Sequence, residues 1–410
     1  MRHVDFWTDP EHRYLLCKVS AFGGPHDHIR SDIHKLPDQV FEEIVIINDI
    51  VHNFVSSIHN AVDFIEDFAK LFRESGHANS STQIKIYSFG YSEFEVDTLL
   101  NNLPSSDSDV RAMFCPFLEQ LHNYKNIYEH FRDHESIVWY GINLMLLRMM
   151  EFKFNSDFKW DPHQEKHQAL LMLGKVTDYR KDLITQCYNK LTPNLTYTLG
   201  QSEPDGTMEQ WDWSTHVDPD ILTGASVDPD VRAKSTRTPD GWDHPDYFYK
   251  THQLEIVAET DAENRGSSAL TEKTYRPIIM GMPFLADQRT SLLVKALGLE
   301  YYHDLFDKDC LKYLGADFMN DHFVPHASGI MEMLSNNEFS RLVGMIDNNQ
   351  VKITKYIDSQ IQSIRHISFD LSIMTHTDDA SIKPGQGFYN IANRDFLDCW
   401  ATHYQNFPHS

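Results

Sequence analysis

The chain has 410 residues, 41% of them hydrophobic and 12% aromatic, which makes it too long for one ordinary core and too apolar for a disordered chain. Its formal net charge of −24 argues against a free-standing nucleic-acid binder, which needs a basic surface to displace counterions from phosphates. The five cysteines, Cys17, Cys115, Cys187, Cys310 and Cys399, are scattered without a CxxC pair, so neither a disulfide framework nor a cysteine zinc site is expected.

Residues Met1–Trp7 carry no apolar signal core, and the expected setting is cytoplasmic. Gly24-Pro25-His26-Asp27-His28 reads as a loop that holds two histidines. Between Gln39 and Phe72, apolar residues recur close to a 3.6-residue period (Ile44, Ile47, Val51, Phe54, Ile58, Val62, Ile65, Phe68), which predicts one or two helices. Ile84–Phe89 reads as a strand, Val110–Asp133 as a helix and Ile137–Tyr140 as a buried strand. The best apolar stretch, Ile137–Met150, is interrupted by Asn143 and Arg148 and is too short to span a bilayer, so no membrane insertion is expected.

A boundary is expected near Trp160-Asp161-Pro162-His163. Ala169–Leu173 is a continuous apolar run of the kind found in parallel strands, and a helix is predicted over Tyr179–Lys190. From Leu191 to Val231 there is no lysine or arginine but eight acidic residues, with Val217-Asp218-Pro219-Asp220 echoed at Val227-Asp228-Pro229-Asp230. That stretch reads as an acidic surface insertion, and Asp-Pro-Asp there as a turn in preference to a metal site. Leu254–Glu259 then predicts a strand, Thr271–Gly281 a helix capped by Thr271, Pro283–Ala286 a strand and Ser291–Leu297 a helix. A long helix or helix pair is expected from Asn336 to about His366.

The stretch Leu254–Gly298 carries the chemistry. Open α/β sheets bind ligands at the carboxyl ends of their strands, where helix N-termini point positive dipoles outward. A nucleotide diphosphate needs such a helix end with a cation, and a ribose needs a carboxylate for its hydroxyls. Glu272, Lys273 and Arg276 supply those groups within about one helical turn.

Thr271-Glu272-Lys273-Thr274-Tyr275-Arg276-Pro277-Ile278, followed by Gly281-Met282-Pro283-Phe284, resembles the donor-site helix of phage-encoded glycosyltransferase-like proteins. It is similar too to the Thr-Glu-Lys helix of fucosyltransferases and their two-Rossmann-domain (GT-B type) relatives. The resemblance implies Glu272 for the donor ribose and Lys273 for the diphosphate, with Arg276 as a helper. Ala169–Lys175 with Tyr179–Leu183 resembles the segment that opens the C-terminal domain in the phage-type proteins, and implies phosphate contacts from Lys175 and Arg180. Glu259, at the end of its strand, is a further cleft-lining candidate. His26 and His28 are the candidate catalytic bases on the acceptor side. The resemblance covers roughly residues 165 to 310.

The expected fold is therefore α/β, with two Rossmann-like domains facing a cleft, an acidic insertion and a long C-terminal helix. The expected boundaries are 1–155 for the acceptor side, 165–335 for the nucleotide-sugar domain with its insertion at 191–250, and 336–410 for the helix and tail. The expected activity is metal-independent transfer of a sugar from a nucleotide-sugar donor, with no cofactor. The acceptor is a hydroxyl on a glycan, a small molecule or a modified phage DNA base, the last disfavoured by the net charge; a phage origin implies the host cytoplasm. The alternative is a non-catalytic virion or interaction protein that keeps the fold. No Gly-x-Ser-x-Gly elbow, Walker loop or Gly-x-Gly-x-x-Gly fingerprint supports a hydrolase, ATPase or dehydrogenase.

Overall fold

The computed structural model describes residues 4–9, 13–19, 25–48, 61–103, 108–143, 146, 158–163, 168–175, 178–200, 249–259, 270–312 and 317–374. The chain divides into two units, one of Met1–Asn101, Cys115–Leu144 and Tyr356–Ser410, the other of Asn102–Phe114 and Met145–Lys355. Each is built on its own largely or wholly parallel sheet.

The first part of the chain runs β1 (Val4–Asp9), β2 (Tyr14–Val19), α1 (Pro25–Asp32), β3 (Glu43–Asn48), α2 (Ala61–Glu74), β4 (Gln83–Phe89), α3 (Glu93–Asn102), α4 (Ser108–Phe131) and β5 (Ile137–Ile142). The five strands pair in chain order, β1 antiparallel to β2 and the rest parallel. Consecutive residues are buried on β2 (Leu15, Leu16, Cys17) and on β3 (Ile44, Val45, Ile46), as strands covered on both faces require.

That burial corrects the helical reading of Gln39–Phe72. Ile44-Val45-Ile46-Ile47 is a β-branched run, which stiffens an extended chain and packs well on a pleated surface. Its apolar spacing fits a helix only because every position in the run is apolar. Helix begins at Ala61 with α2, and residues 49–60 lie outside the described part. The Gly-Pro segment is corrected too: Pro25 opens α1, where its fixed φ and missing N–H suit the first turn.

Two glycines set how closely α4 packs. A Cβ built on Gly90 would lie 2.0 Å from the Tyr124 hydroxyl, and one on Gly141 would lie 2.0 Å from the Tyr128 hydroxyl and 2.5 Å from the Tyr91 carbonyl oxygen. Tyr128 donates to that same Tyr91 carbonyl at 2.7 Å. At the start of α3, Ser92 and Glu95 form a capping box, and Asn143 after β5 donates to Glu95 at 2.7 Å.

The second unit's strands are β6 (Ala169–Lys175), β7 (Leu195–Gly200), β8 (Leu254–Val257) and β9 (Phe284–Ala286), all parallel, in the order β7-β6-β8-β9. Its helices are α5 (Asp178–Leu191), α6 (Glu272–Met280), α7 (Gln288–Ala296), α8 (Val324–Ser335) and the start of α9 (Ser340–Met374), up to Lys355. Every residue of β8 and β9 is buried. The acidic insertion does not begin at Leu191, because Leu195–Gly200 pairs with β6 as an edge strand. Both Asp-Pro-Asp segments fall in residues 201–248, outside the described part, as does the tail after 374.

Gly281 ends α6 in the left-handed region at φ 74°, with Met282 N–H returning to the Pro277 carbonyl at 2.9 Å. Gln350 of α9 donates to the carbonyls of Ile278 and Ile279, so α9 supplies a further donor at the end of α6. No helix among the described residues is long and apolar enough to cross a membrane.

Gly141→Ala is expected to destabilise the first unit by about 1–3 kcal/mol, because the added methyl meets backbone that cannot rotate away. Urea denaturation checks this, and an unchanged midpoint would mean that the α4 tyrosines yield freely.

Candidate functional site

In the second sheet the chain steps from β6 to β7 on one side, while β8 lies on the other. Strand order therefore reverses between β6 and β8. An open parallel sheet forms its ligand crevice at such a reversal, outside the carboxyl ends of the strands. β6 ends at Lys175, and β8 runs out through Ala258 and Glu259, both buried.

Glu259 joins the end of β8 to the start of α6. Its carboxylate accepts from the Thr271 N–H at 2.9 Å, from the Thr271 hydroxyl at 2.6 Å and from the Thr274 hydroxyl. The side chain thus serves the orphan donors of the first turn, together with the Thr271 cap. Burial raises the Glu259 carboxyl pKa, against the Lys273 charge and the threonine hydrogen bonds, which lower it.

The next two side chains sit at the mouth of that turn. Lys273 Nζ lies 2.7 Å from Glu272 Oε1 and 3.4 Å from Thr271 Oγ1. The side chains of Lys273 and Glu272 are 17% and 16% exposed, enough to meet a ligand while still held. Burial works against the Glu272 charge. The Lys273 charge and hydrogen bond outweigh it, helped by the helix N-terminus, and the carboxyl sits below its ordinary value of 4.5.

Arg180 approaches from the other strand of the reversal. It lies in the first turn of α5, is buried, and its Nη2 points at the Glu259 carbonyl oxygen at 3.4 Å. The structure therefore brings Glu259, Glu272, Lys273 and Arg180 to one sheet edge. Lys175 ends β6 at the same edge, but its side chain lies outside the described part. His26 and His28 fall on α1 of the first unit, and their side chains are likewise outside it.

Arg276 faces inward, away from this mouth. It pairs with Glu255 of β8, and its Nε donates to the Tyr249 hydroxyl at 2.9 Å, while that hydroxyl donates to Glu255. All three residues are buried. Burial opposes the guanidinium charge, but Glu255 and Tyr249 overcome it and push the Arg276 pKa above its ordinary value. The Tyr249 hydroxyl is raised by burial first and by Glu255 second.

Sequence reasoning missed Glu255, Tyr249 and Thr274. The signal for Glu255 was present: one carboxylate inside the apolar run Leu254–Val257 calls for a buried partner, since an unpaired charge there is costly. Nothing in the sequence named Arg276 as that partner.

No family model and no curated protein matches the sequence. Among solved structures, the chain is similar to a mutant of T4 phage BGT in complex with UDP-glucose, with a TM-score of 0.32 and 9% identity over 80% of this chain and 83% of that one.

Two outcomes follow. Arg276→Met takes the counter-charge from buried Glu255, and is expected to destabilise the second unit by about 3–5 kcal/mol. The Glu255→Leu/Arg276→Met pair is expected to recover much of that loss. A double-mutant cycle by urea denaturation checks it, and additive losses would mean that the two groups do not act as a pair.

The second concerns pH. Because the folded Glu272 pKa lies below its unfolded value, its contribution is fully present above the unfolded value and lost as pH falls through the folded one. The stability difference between the unaltered chain and Glu272→Gln should thus hold steady near neutral pH and close as pH drops below 4.5. A difference that ignores pH would show that charge is not what Glu272 contributes.

Proposed function

We propose that this chain is a glycosyltransferase and that the start of α6 binds the nucleotide-sugar donor. The observation that supports it most is the Glu272–Lys273 pair, partly open at a helix N-terminus beside the reversal of a parallel sheet. A nucleoside diphosphate matches that arrangement group by group. Its ribose hydroxyls donate to the Glu272 carboxylate. Its phosphates meet the Lys273 ammonium and the positive end of α6.

Lys175 and Arg180 are assigned to the phosphate side, at the end of β6 and the start of α5. Glu259 and Arg276 act as positioning residues, holding the turn on which Glu272 and Lys273 sit. In the transfer step an acceptor oxygen bonds to the sugar's anomeric carbon as the bond to the diphosphate breaks. The acceptor's proton passes to a general base, a role assigned to His26 or His28. The charge that grows on the departing diphosphate is stabilised by Lys273 and the helix end, which stand in place before the reaction.

The test is a thermal-shift series with UDP-, GDP-, ADP-, CMP- and dTDP-sugars. One nucleotide class is expected to raise the melting temperature. Glu272→Ala and Lys273→Ala are each expected to weaken its binding by roughly 10- to 100-fold, the value of one charge-assisted hydrogen bond of about 1.5–3 kcal/mol. Full affinity in both variants, or no shift with any donor in the unaltered chain, would overturn the reading.

A further inference from the structure

A second constellation lies one strand further along the same sheet, where the proposed donor chemistry uses none of it. His303, Cys310 and His326 are all buried, and one ligand atom from each lies within 4.8 Å of the others. They come from three separate pieces of chain: a short 3-10 turn at Tyr302–Leu305, another at Cys310–Lys312, and α8. We propose that these three side chains bind a borderline-soft divalent cation of the zinc class, which clips the 302–312 segment to α8.

The donor set fits that cation. Two imidazoles and a thiolate are the ligands zinc takes in tetrahedral sites. His303 is already oriented as such a ligand, because its Nε2 lies 2.8 Å from the Ala286 carbonyl at the end of β9. That bond fixes the proton on Nε2 and leaves Nδ1 as a lone pair, the usual outer arrangement of a metal-bound histidine. Burial lowers the pKa of both imidazoles, at His303 against the Ala286 hydrogen bond, which raises it. Burial raises the pKa of the Cys310 thiol.

The two imidazoles stand closer together than a shared cation would set them. His303 Nδ1 and His326 Nδ1 lie 2.8 Å apart, a hydrogen bond in which His326 holds the proton. Two nitrogens on a tetrahedral zinc stand about 3.3 Å apart, and a nitrogen and a sulfur about 3.6 Å. Loading thus opens the histidine pair by about half an ångström and draws the sulfur in. His326 moves its proton to Nε2 with no net change, and Cys310 releases one proton for each cation bound. His322, on the π turn Met319–Phe323 that leads into α8, has its ring centroid 5.6 Å from that of His326 and is next in line for the fourth position. Single π turns inside helices are frequent at functional sites.

The test uses the full chain, stripped with chelator and given one equivalent of Zn²⁺ or Co²⁺ before gel filtration. Retention of one metal per chain by elemental analysis is expected, with a tetrahedral Co²⁺ spectrum that includes a thiolate charge-transfer band. Cys310→Ser should abolish that band, and His326→Asn should lower affinity at least tenfold. On the unaltered chain, zinc should slow alkylation of Cys310 at least tenfold, and more than that of Cys187, which is buried in the same unit. No retained metal, a cobalt spectrum indifferent to Cys310→Ser, or Cys310 alkylation unchanged by zinc would overturn the proposal.

Discussion

The start of α6 rests on one buried carboxylate. Glu259 gathers a backbone N–H and two threonine hydroxyls at the point where β8 gives way to the helix. Each of those donors would otherwise be an unsatisfied group away from water, and leaving one unmade costs more than making one gains. The carboxylate tolerates its burial because its acceptor sites are filled and a lysine lies nearby. The first turn of α6 is consequently fixed to the sheet edge, and Glu272 and Lys273 have a defined place from which to act.

A second carboxylate, on β8 itself, holds the middle of the helix. Glu255 lies within β8 and Glu259 two residues past its end. Both reach α6, Glu259 at Thr271 and Thr274, Glu255 at Arg276. The two contacts differ in kind. Glu259 completes a helix end, whereas Glu255 needs Arg276 to offset its own charge, so that pair sets the helix's position more than it adds net stability. Gln350 and the left-handed Gly281 close the far end. A nine-residue helix is thereby tied at its start, middle and finish, with little dependence on its own propensity.

How much of this was legible depended on which signal each residue carried. Periodicity and turn residues located β4, α4, β5, β6, α5, β8, α6, β9 and α7 close to where they lie. The same signal misread Ile44–Ile47, since a fully apolar run satisfies a helical period and a strand alike. β1 and β2 went unread, and β7 was hidden inside an acidic, threonine-rich stretch whose composition resembled a loop. At the site, residue types and their order along the chain marked Glu272 and Lys273, because both lie in one helical turn. Partnerships that cross elements were not legible: Arg276 has the right charge for a phosphate, and only the fold shows it facing Glu255. The His303, Cys310 and His326 cluster escaped for the same reason, with gaps of 7 and 16 residues that match no motif.

The pairing of Glu272 with Lys273 also bears on what the site can select. The chain as a whole carries −24, so a phosphate approaches against a repulsive field and needs local compensation. The α6 N-terminus and Lys273 offer that compensation, yet Glu272 stands beside them and would repel a bare anion. Only a ligand that presents hydroxyl donors to Glu272 while placing its phosphates against Lys273 turns both neighbours to advantage. Inorganic phosphate satisfies one and opposes the other. On the proposed reading, a nucleoside diphosphate carries both kinds of group in one molecule, and the carboxylate that weakens simple anions would then discriminate in favour of nucleotides.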